Sequence, residues 1–106
     1  IWANDFEPEK TFKNTDRTIP VITLVHNPEA VKKLRNIDTE LILSGHTHGT
    51  KFEWEVKPGR IITNKRNYPA GLYNRKSGKL YVNRGLGRHG RIGFNTRPEI
   101  TVLNIK

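Results

Sequence analysis

Two short apolar segments, separated by a segment of helical length, constrain the fold of this chain most strongly. Residues 21–26 (VITLVH) and 41–44 (LILS) are rich in β-branched and aliphatic side chains, as buried strands are. Between them, Asn27 and Pro28 favour the start of a helix, because Asn caps a helix and Pro needs no hydrogen-bond partner at the first helical position. The order strand, helix, strand predicts a βαβ unit in a covered parallel sheet.

The helix of this unit is expected over about residues 28–36. Ala30, Val31 and Leu34 fall on one side of it, and basic side chains take the other side. The apolar side is therefore predicted to pack against the sheet. A second, shorter helix is expected near the start of the chain, over residues 7–13.

The second half of the chain has the pattern of β-hairpins rather than of helices. Turns are indicated at Pro58-Gly59 and at Ser77-Gly78, and the glycine-rich segment 84–95 is predicted to be a loop. Strands are expected at residues 52–56, 61–63, 79–83 and 99–105.

The composition limits the kinds of site that the chain can form. It has no cysteine, which excludes a disulfide framework and a thiolate metal site, so a metal would be bound by His, carboxylate, Asn or water. The net charge of +9 is concentrated in residues 57–106, which hold twelve of the nineteen Lys and Arg residues and one acidic residue, Glu99. This asymmetry favours an anionic partner, such as a phosphate ester, an anionic membrane or nucleic acid; a solvated basic surface is the alternative.

The chain is expected to be a partial domain, residues 1–106, of a longer or processed protein. It contains no methionine and starts at Ile1. No apolar run in it reaches the ~18–20 residues needed to cross a bilayer.

Three of the four histidines follow the two predicted strands at their carboxyl ends. His26 ends the first strand, and His46 and His48 follow the second. The carboxyl ends of parallel strands are where α/β sheets build their sites, and residues two apart in extended backbone project to the same side. Gly45 and Gly49 flank the pair and are expected to let the backbone turn freely. The pattern predicts a metal site; surface or structural histidines are the alternative.

The histidine segments also have the form of known metal motifs. Residues 45–49 (GHTHG), with 24–28 (LVHNP) upstream, resemble the last two metal motifs of the calcineurin-like metallophosphoesterases. Residues 81–87 (YVNRGLG) and 94–100 (FNTRPEI) resemble the C-terminal end of one bacterial branch of that family, which includes membrane-associated phosphoesterases and lipid-precursor pyrophosphatases. The resemblance covers about residues 21–106.

The resemblance implies an α/β fold, namely the C-terminal half of a four-layer αββα sandwich with a mixed sheet. It implies two divalent metal ions (Mn, Fe or Zn), with His26 and His46 on the second ion and His48 on the first, which activate a water for in-line attack on phosphorus. The implied substrate is a phosphomonoester, a phosphodiester or a pyrophosphate. The implied location is the cytoplasm or the periphery of a bacterial membrane, while the oligomeric state is not indicated.

The earlier ligand motifs of the family do not occur in this sequence. They are Asp-x-His, Gly-Asp-x-x-Asp and Gly-Asn-His followed by Asp or Glu. The chain is therefore expected to be a fragment of an enzyme and inactive alone. Relatives also often have Gly-Gly-Gln after the second histidine, where this chain has Gly49-Thr50-Lys51, so the contacts of that loop are expected to differ.

Basic residues of the second half are candidates for binding the substrate phosphate. Arg88 and His89 lie in the glycine-rich loop, and Arg or protonated His can pair with phosphate. Arg84 and Arg97 are further candidates of the same kind. Surface charges without this role are the alternative for all four residues.

A non-enzymatic basic module that binds nucleic acid is the alternative function. Aromatic and basic or amide side chains lie together at 67–68 and 79–81, as such modules require. However, no recognised nucleic-acid motif is present, so a specific nucleic-acid partner is not expected. A peripheral membrane-binding domain is a third reading, for which the sequence offers no basic amphipathic helix. Trp54 and Tyr73 are expected to pack in the protein rather than to stack on a ligand.

Overall fold

The computed structural model describes residues 6–47, 68–86 and 97–106, together with the backbone of two strands between them. In these residues one α-helix, one 3-10 helix and six strands are formed. The elements are α1 (Pro8–Phe12), β1 (Ile22–Leu24), the 3-10 helix (Pro28–Leu34), β2 (Leu41–Ser44), β3 (Phe52–Lys57), β4 (Arg60–Asn64), β5 (Gly71–Arg75) and β6 (Gly78–Val82).

Four of the strands form a mixed sheet in the order β1-β2-β6-β5. β1, β2 and β6 are parallel, and β5 pairs with β6 in the antiparallel sense at one edge. β3 and β4 form a separate antiparallel pair. The predicted βαβ unit and the mixed sheet are therefore confirmed.

The helix of the βαβ unit begins where the sequence predicts and is wound as a 3-10 helix. The Asn27 side chain accepts a hydrogen bond from the Glu29 backbone N–H at 3.0 Å, which caps the amino end. A 3-10 helix has three residues per turn, so Pro28, Val31 and Leu34 lie in one row, and all three are fully buried. The three-residue spacing of these buried side chains matches the winding, and the helix ends at Leu34 rather than at residue 36.

The core lies between this helix and one face of the sheet. Ile42, Leu80 and Val82, from the two central strands, have no exposed surface and pack against Val31 and Leu34. Alternate residues of a strand point to the same face, so these three share the covered face with Thr23 of β1. Full burial of each large aliphatic side chain stabilises the fold by about 1.5–3 kcal/mol.

The opposite face of the sheet carries an apolar row that is largely exposed. Leu24, Leu43, Tyr81 and Leu72 are register partners across the four strands, and Leu24 is 77% and Leu72 57% exposed. The prediction of a buried strand at residues 21–26 is thus correct in the position of the strand, but it overestimates both the length and the burial of that strand. β1 has three residues, and only Thr23 among them is buried, because the described residues cover one face of the sheet.

The predicted final strand at residues 99–105 is wrong, and β5 is a strand that the sequence does not predict. Residues 97–106, called the C-terminal segment below, have no strand pairing; side chains attach them to the sheet. β5 contains Gly71 and Asn74, which are poor strand formers, and it forms because the turn at Ser77-Gly78 folds it onto β6.

The Ser77-Gly78 turn requires glycine at its second position. Gly78 has φ +115°, and a Cβ there would lie 1.6 Å from the Thr39 carbonyl oxygen.

The predicted short helix near residue 7 is confirmed as α1, and the predicted hairpin strands at 52–56 and 61–63 are confirmed as β3 and β4. Turn residues 58–59 and most of the predicted loop at 84–95 lie outside the described residues.

The packing role predicted for Tyr73 is confirmed. Its ring contacts that of Tyr68 edge to face at 5.1 Å, and its hydroxyl donates to the Ala70 carbonyl at 3.0 Å. The Trp54 side chain lies outside the described part of the chain. Within that part, no helix is long and apolar enough to span a membrane.

Candidate metal centre

Parallel pairing of β1 and β2 brings two of the predicted ligands together at the carboxyl edge of the sheet. His26 and His46 each follow their strand by two residues. The His26 carbonyl accepts hydrogen bonds from the Gly45 N–H at 3.2 Å and from the Ser44 hydroxyl at 3.0 Å. The backbone beside the two histidines is thus fixed by hydrogen bonds between the two strand ends.

The two imidazoles face each other with ring nitrogens close together. His46 Nδ1 lies 3.1 Å from His26 Nε2, and the ring centroids are 4.9 Å apart at an interplanar angle of 65°. Both side chains are exposed, so a ligand can reach them from solvent. This separation also suits an N–H···N hydrogen bond, in which one nitrogen keeps its proton and the other accepts.

The distance fits a shared metal ion as well as it fits a hydrogen bond. Nitrogens that bind one ion at about 2.0–2.1 Å lie about 2.9 Å apart at a right angle and about 3.4 Å apart at the tetrahedral angle. The observed 3.1 Å falls between these values. Neutral imidazole is a good ligand for Zn, Fe and Mn, so the pair is compatible with the ions that the sequence motifs imply.

The backbone at His46 is not extended. The sequence argument for the site assumed extended backbone at this position, and that assumption is wrong. His46 has φ +67°, in the left-handed region that L residues seldom adopt. The Thr47 N–H donates to the Gly45 carbonyl at 2.8 Å, so residues 45–47 form a γ-turn of the rarer, strained form. The flanking glycines predicted a turn at Gly45. The structure instead places the turn at His46.

A buried threonine holds this strained turn in place. Thr47 is 3% exposed, and its hydroxyl donates to the Pro69 carbonyl at 2.5 Å. Such backbone strain costs of order 1–3 kcal/mol and is concentrated at functional sites. The strain at His46 therefore adds to the case for a binding role.

Two of the three predicted metal ligands are placed by the structure. His48 lies outside the described residues, as do Arg88 and His89. Within residues 6–47, 68–86 and 97–106, no group of three or more His, Asp or Glu side chains is positioned to hold a metal ion. The assignment of His48 as a ligand therefore stays a prediction.

Asn83 is a neighbour of the site that the sequence does not single out. Its N–H donates to the Ser44 carbonyl at 2.8 Å, so the parallel pairing of β6 with β2 continues to the loop that carries His46. Its side chain donates to the Thr101 hydroxyl at 3.2 Å and accepts from the Gly85 N–H at 2.6 Å. Asn83 thereby links the carboxyl edge of the sheet to the C-terminal segment.

A cluster of polar side chains fixes the C-terminal segment beside this edge. Its members are Tyr81, Arg84, Glu99 and Thr101. Arg84 forms an ion pair with Glu99, with Nε and Oε2 3.3 Å apart, so its predicted role as a phosphate contact competes with an internal partner. The Tyr81 hydroxyl donates to Glu99 and lies 2.7 Å from the Thr101 hydroxyl. Arg97, the other such candidate, is exposed.

Burial and hydrogen bonds in this cluster shift the pKa values of Tyr81 and Glu99 in opposite directions. Hydrogen bonds from Tyr81 and then Thr101 lower the pKa of Glu99, because they stabilise the carboxylate form. Burial, followed by the hydrogen bond to Glu99, raises the pKa of Tyr81, because both disfavour the phenolate. The cluster is therefore most stable with Glu99 ionised and Tyr81 neutral.

The chain is similar over most of its length to several bacterial proteins. It is 38% identical to the UDP-2,3-diacylglucosamine pyrophosphatase LpxG of Chlamydia muridarum over 97% of the chain. It is 31% identical to the phosphodiesterase YaeI of Escherichia coli over 99% of the chain, and 40% identical to the metallophosphoesterase YkuE of Bacillus subtilis over 87%. No family model and no solved structure matches the chain.

These relatives, with the paired histidines at the carboxyl edge of an α/β sheet, define the class of protein. The chain belongs to the calcineurin-like metallophosphoesterases, which confirms the resemblance of its motifs. It spans about a third of the length of these curated relatives, 34%, 38% and 32% respectively.

Proposed function

We propose that the chain is part of a metal-dependent hydrolase of phosphoester or pyrophosphate bonds. The observation that carries the proposal is the 3.1 Å approach of His26 Nε2 and His46 Nδ1 at the carboxyl edge of the sheet. The names of the relatives, a pyrophosphatase and a phosphodiesterase, support the same reaction class.

In this proposal, His26, His46 and His48 hold divalent ions, Mn, Fe or Zn, at a two-metal centre. When bound, such ions supply Lewis-acid activation of the phosphoryl group and of the attacking water. The residues of the chain position the ligands: the Ser44 hydroxyl and the Gly45 N–H hold the backbone of His26, and Thr47 anchors the turn at His46.

Three histidines offer too few donors for two ions, each of which takes at least four ligands. Residues 1–106 alone are therefore proposed to bind metal and not to catalyse hydrolysis. A phosphodiester such as bis(p-nitrophenyl) phosphate, incubated with the chain and Mn²⁺, should show no turnover above the metal ion alone. Turnover by the chain would show that it contains ligands beyond the three histidines.

The four-layer sandwich belongs to the same proposal. One sheet face is covered by the 3-10 helix, and the opposite face carries the row of Leu24, Leu43, Tyr81 and Leu72. A sheet with one apolar face covered and the other open is one half of a sheet-on-sheet packing. A second sheet against this row would complete the inner layers.

Metal binding by the histidines tests the proposal directly. Calorimetric titration with Mn²⁺ and with Zn²⁺ should show binding to the wild-type chain that is lost in the His26→Ala/His46→Ala/His48→Ala variant. The matched control is His89→Ala, which removes the fourth histidine and should leave binding unchanged. Circular dichroism checks that each variant keeps its fold. Binding that survives the triple substitution, or that His89→Ala removes, would contradict the assignment.

A further inference from the structure

A cavity lies at the edge of the sheet opposite to the histidine pair. It has a volume of about 580 Å³ and is formed by the 3-10 helix, the segment that follows it and the turn between β5 and β6. His26 and His46 follow the carboxyl ends of β1 and β2, whereas this cavity is lined by residues that precede β2 and β6. Its volume falls in the range of small-ligand sites, about 300–1,000 Å³.

The lining of this cavity is strongly basic. Lys32, Arg35, Arg75 and Lys76 contribute to it, against a single acidic residue, Asp38. Lys32 forms an ion pair with Glu29. For Arg35, Arg75 and Lys76, no ion pair with an acidic side chain is found in the described part of the chain. Three cationic side chains thus line the cavity without an ion-pair partner, and with Asp38 as the single acidic residue the lining carries a positive charge that attracts an anion.

Arg75 is positioned from within the fold and has an unused donor. Its Nη2 donates to the Val31 carbonyl at 3.0 Å, which ties the guanidinium to the 3-10 helix. Its Nη1 is buried and has no hydrogen-bond partner among the described residues. A buried donor without a partner is unfavourable, and an anionic oxygen that reaches this guanidinium would satisfy it. The neighbouring Ser77 is buried and donates its hydroxyl to the Leu34 carbonyl, so both sides of the cavity are fixed.

We propose that the cavity between the 3-10 helix and the β5–β6 turn binds a phosphate group through Arg35, Arg75 and Lys76. Phosphate suits this lining better than a carboxylate, because its greater charge and its oxygens match three cations, and a guanidinium can bind two of its oxygens at once. The group belongs either to a soluble phosphate compound or to a lipid headgroup. The inference does not depend on the metal centre or on the proposed hydrolysis.

Nuclear magnetic resonance titration of the isotopically labelled chain with inorganic phosphate tests the site. Backbone amide signals of Asn36, Lys76 and Ser77 should shift with saturation, while those of Gly45 and Thr47 at the histidine edge should not. Shifts confined to the histidine edge, or no saturable shift at all, would overturn the proposal.

A pair of charge-matched double variants separates the cavity from the overall positive charge. Arg35→Gln/Lys76→Gln removes two exposed cations of the cavity, and it should weaken phosphate binding at least about tenfold. Lys13→Gln/Lys106→Gln removes two exposed cations elsewhere and should change it less than about twofold. Equal weakening by the two variants would show non-specific attraction and refute the site.

Vesicle sedimentation distinguishes the two sources of phosphate. The probe is phosphatidylcholine vesicles with and without phosphatidic acid, which exposes a phosphomonoester. Binding that requires phosphatidic acid and is lost in Arg35→Gln/Lys76→Gln, but not in the control, assigns a lipid headgroup. Phosphate binding in solution without vesicle binding assigns a soluble compound. If neither probe distinguishes the two variants, the proposal is wrong.

Discussion

At the scale of single residues, the most informative feature is the positive φ of His46. A side chain with a Cβ is destabilised by about 1–2 kcal/mol in this conformation, which glycine adopts freely. Here the conformation is imposed by the Thr47 hydrogen bonds on one side and by the Gly45 N–H bond to His26 on the other. The presence of histidine rather than glycine at this strained position supports the proposed metal-binding role of its imidazole.

Two substitutions at this position separate strain from metal binding. His46→Gly should be more stable to urea than His46→Ala by about 1 kcal/mol, because glycine removes the strain that alanine keeps. Both should lose the metal affinity seen by calorimetry, because both remove the imidazole. Equal stability of the two variants, or higher stability of His46→Ala, would contradict the left-handed conformation.

At the scale of elements, much of the fold could be predicted from the sequence. Runs of β-branched and aliphatic residues predicted the positions of β1 and β2, and Asn27-Pro28 predicted the start of the helix. The winding of the helix could not be predicted, because it depends on which residues the sheet covers: the buried row Pro28, Val31 and Leu34 has a spacing of three.

The C-terminal segment shows why alternation of apolar residues misleads. Residues 99–105 alternate like a strand, yet Ile100 and Val102 are more than 80% exposed, and the polar residues Glu99 and Thr101 make the contacts. Only part of the candidate site could be predicted, because its turn depends on a contact between residues that are distant in the sequence. Strand ends fixed the neighbourhood of His26 and His46, whereas the turn at His46 depends on Thr47 and Pro69, which lie 22 residues apart.

The attachment of the C-terminal segment should depend on pH through Glu99. The pKa of Glu99 is lowered in the folded protein, so its contribution to stability is complete above the unfolded-state pKa, about 4.3. This contribution is lost as the pH falls through the lower folded-state pKa. Glu99→Gln removes the titrating group, so its free energy of unfolding should fall less between pH 6 and pH 3 than that of the wild type.

Urea unfolding at a series of pH values measures this difference. Glu9→Gln, an exposed substitution in α1, is the control for loss of one negative charge and should follow the wild-type pH dependence. If Glu99→Gln loses as much stability as the wild type on acidification, the Tyr81–Glu99–Thr101 cluster does not hold the segment in solution.

At the scale of the whole molecule, the sheet divides the surface into parts with different chemistry. The histidine pair lies at the carboxyl edge, the basic cavity lies at the other edge, and the row of Leu24, Leu43, Tyr81 and Leu72 lies on the open face. Exposed apolar rows of this extent are normally covered by another element or by a second molecule. The chain in isolation is therefore expected to associate with itself through this face.

Polar substitution of the row tests this expectation. Leu24→Gln/Leu72→Gln should lower the association measured by sedimentation velocity and the binding of a hydrophobic dye, without loss of stability, because both side chains are more than half exposed. The control Ile100→Gln/Ile105→Gln changes two apolar residues of the C-terminal segment that are 84% and 74% exposed, and it should leave the association largely unchanged. In a longer protein whose second sheet covers the row, the same Leu24→Gln/Leu72→Gln pair should instead destabilise the fold by several kcal/mol, as buried apolar-to-polar changes do. Opposite effects in the two settings would identify the face as the inner layer of a sandwich, whereas no effect in either would exclude it.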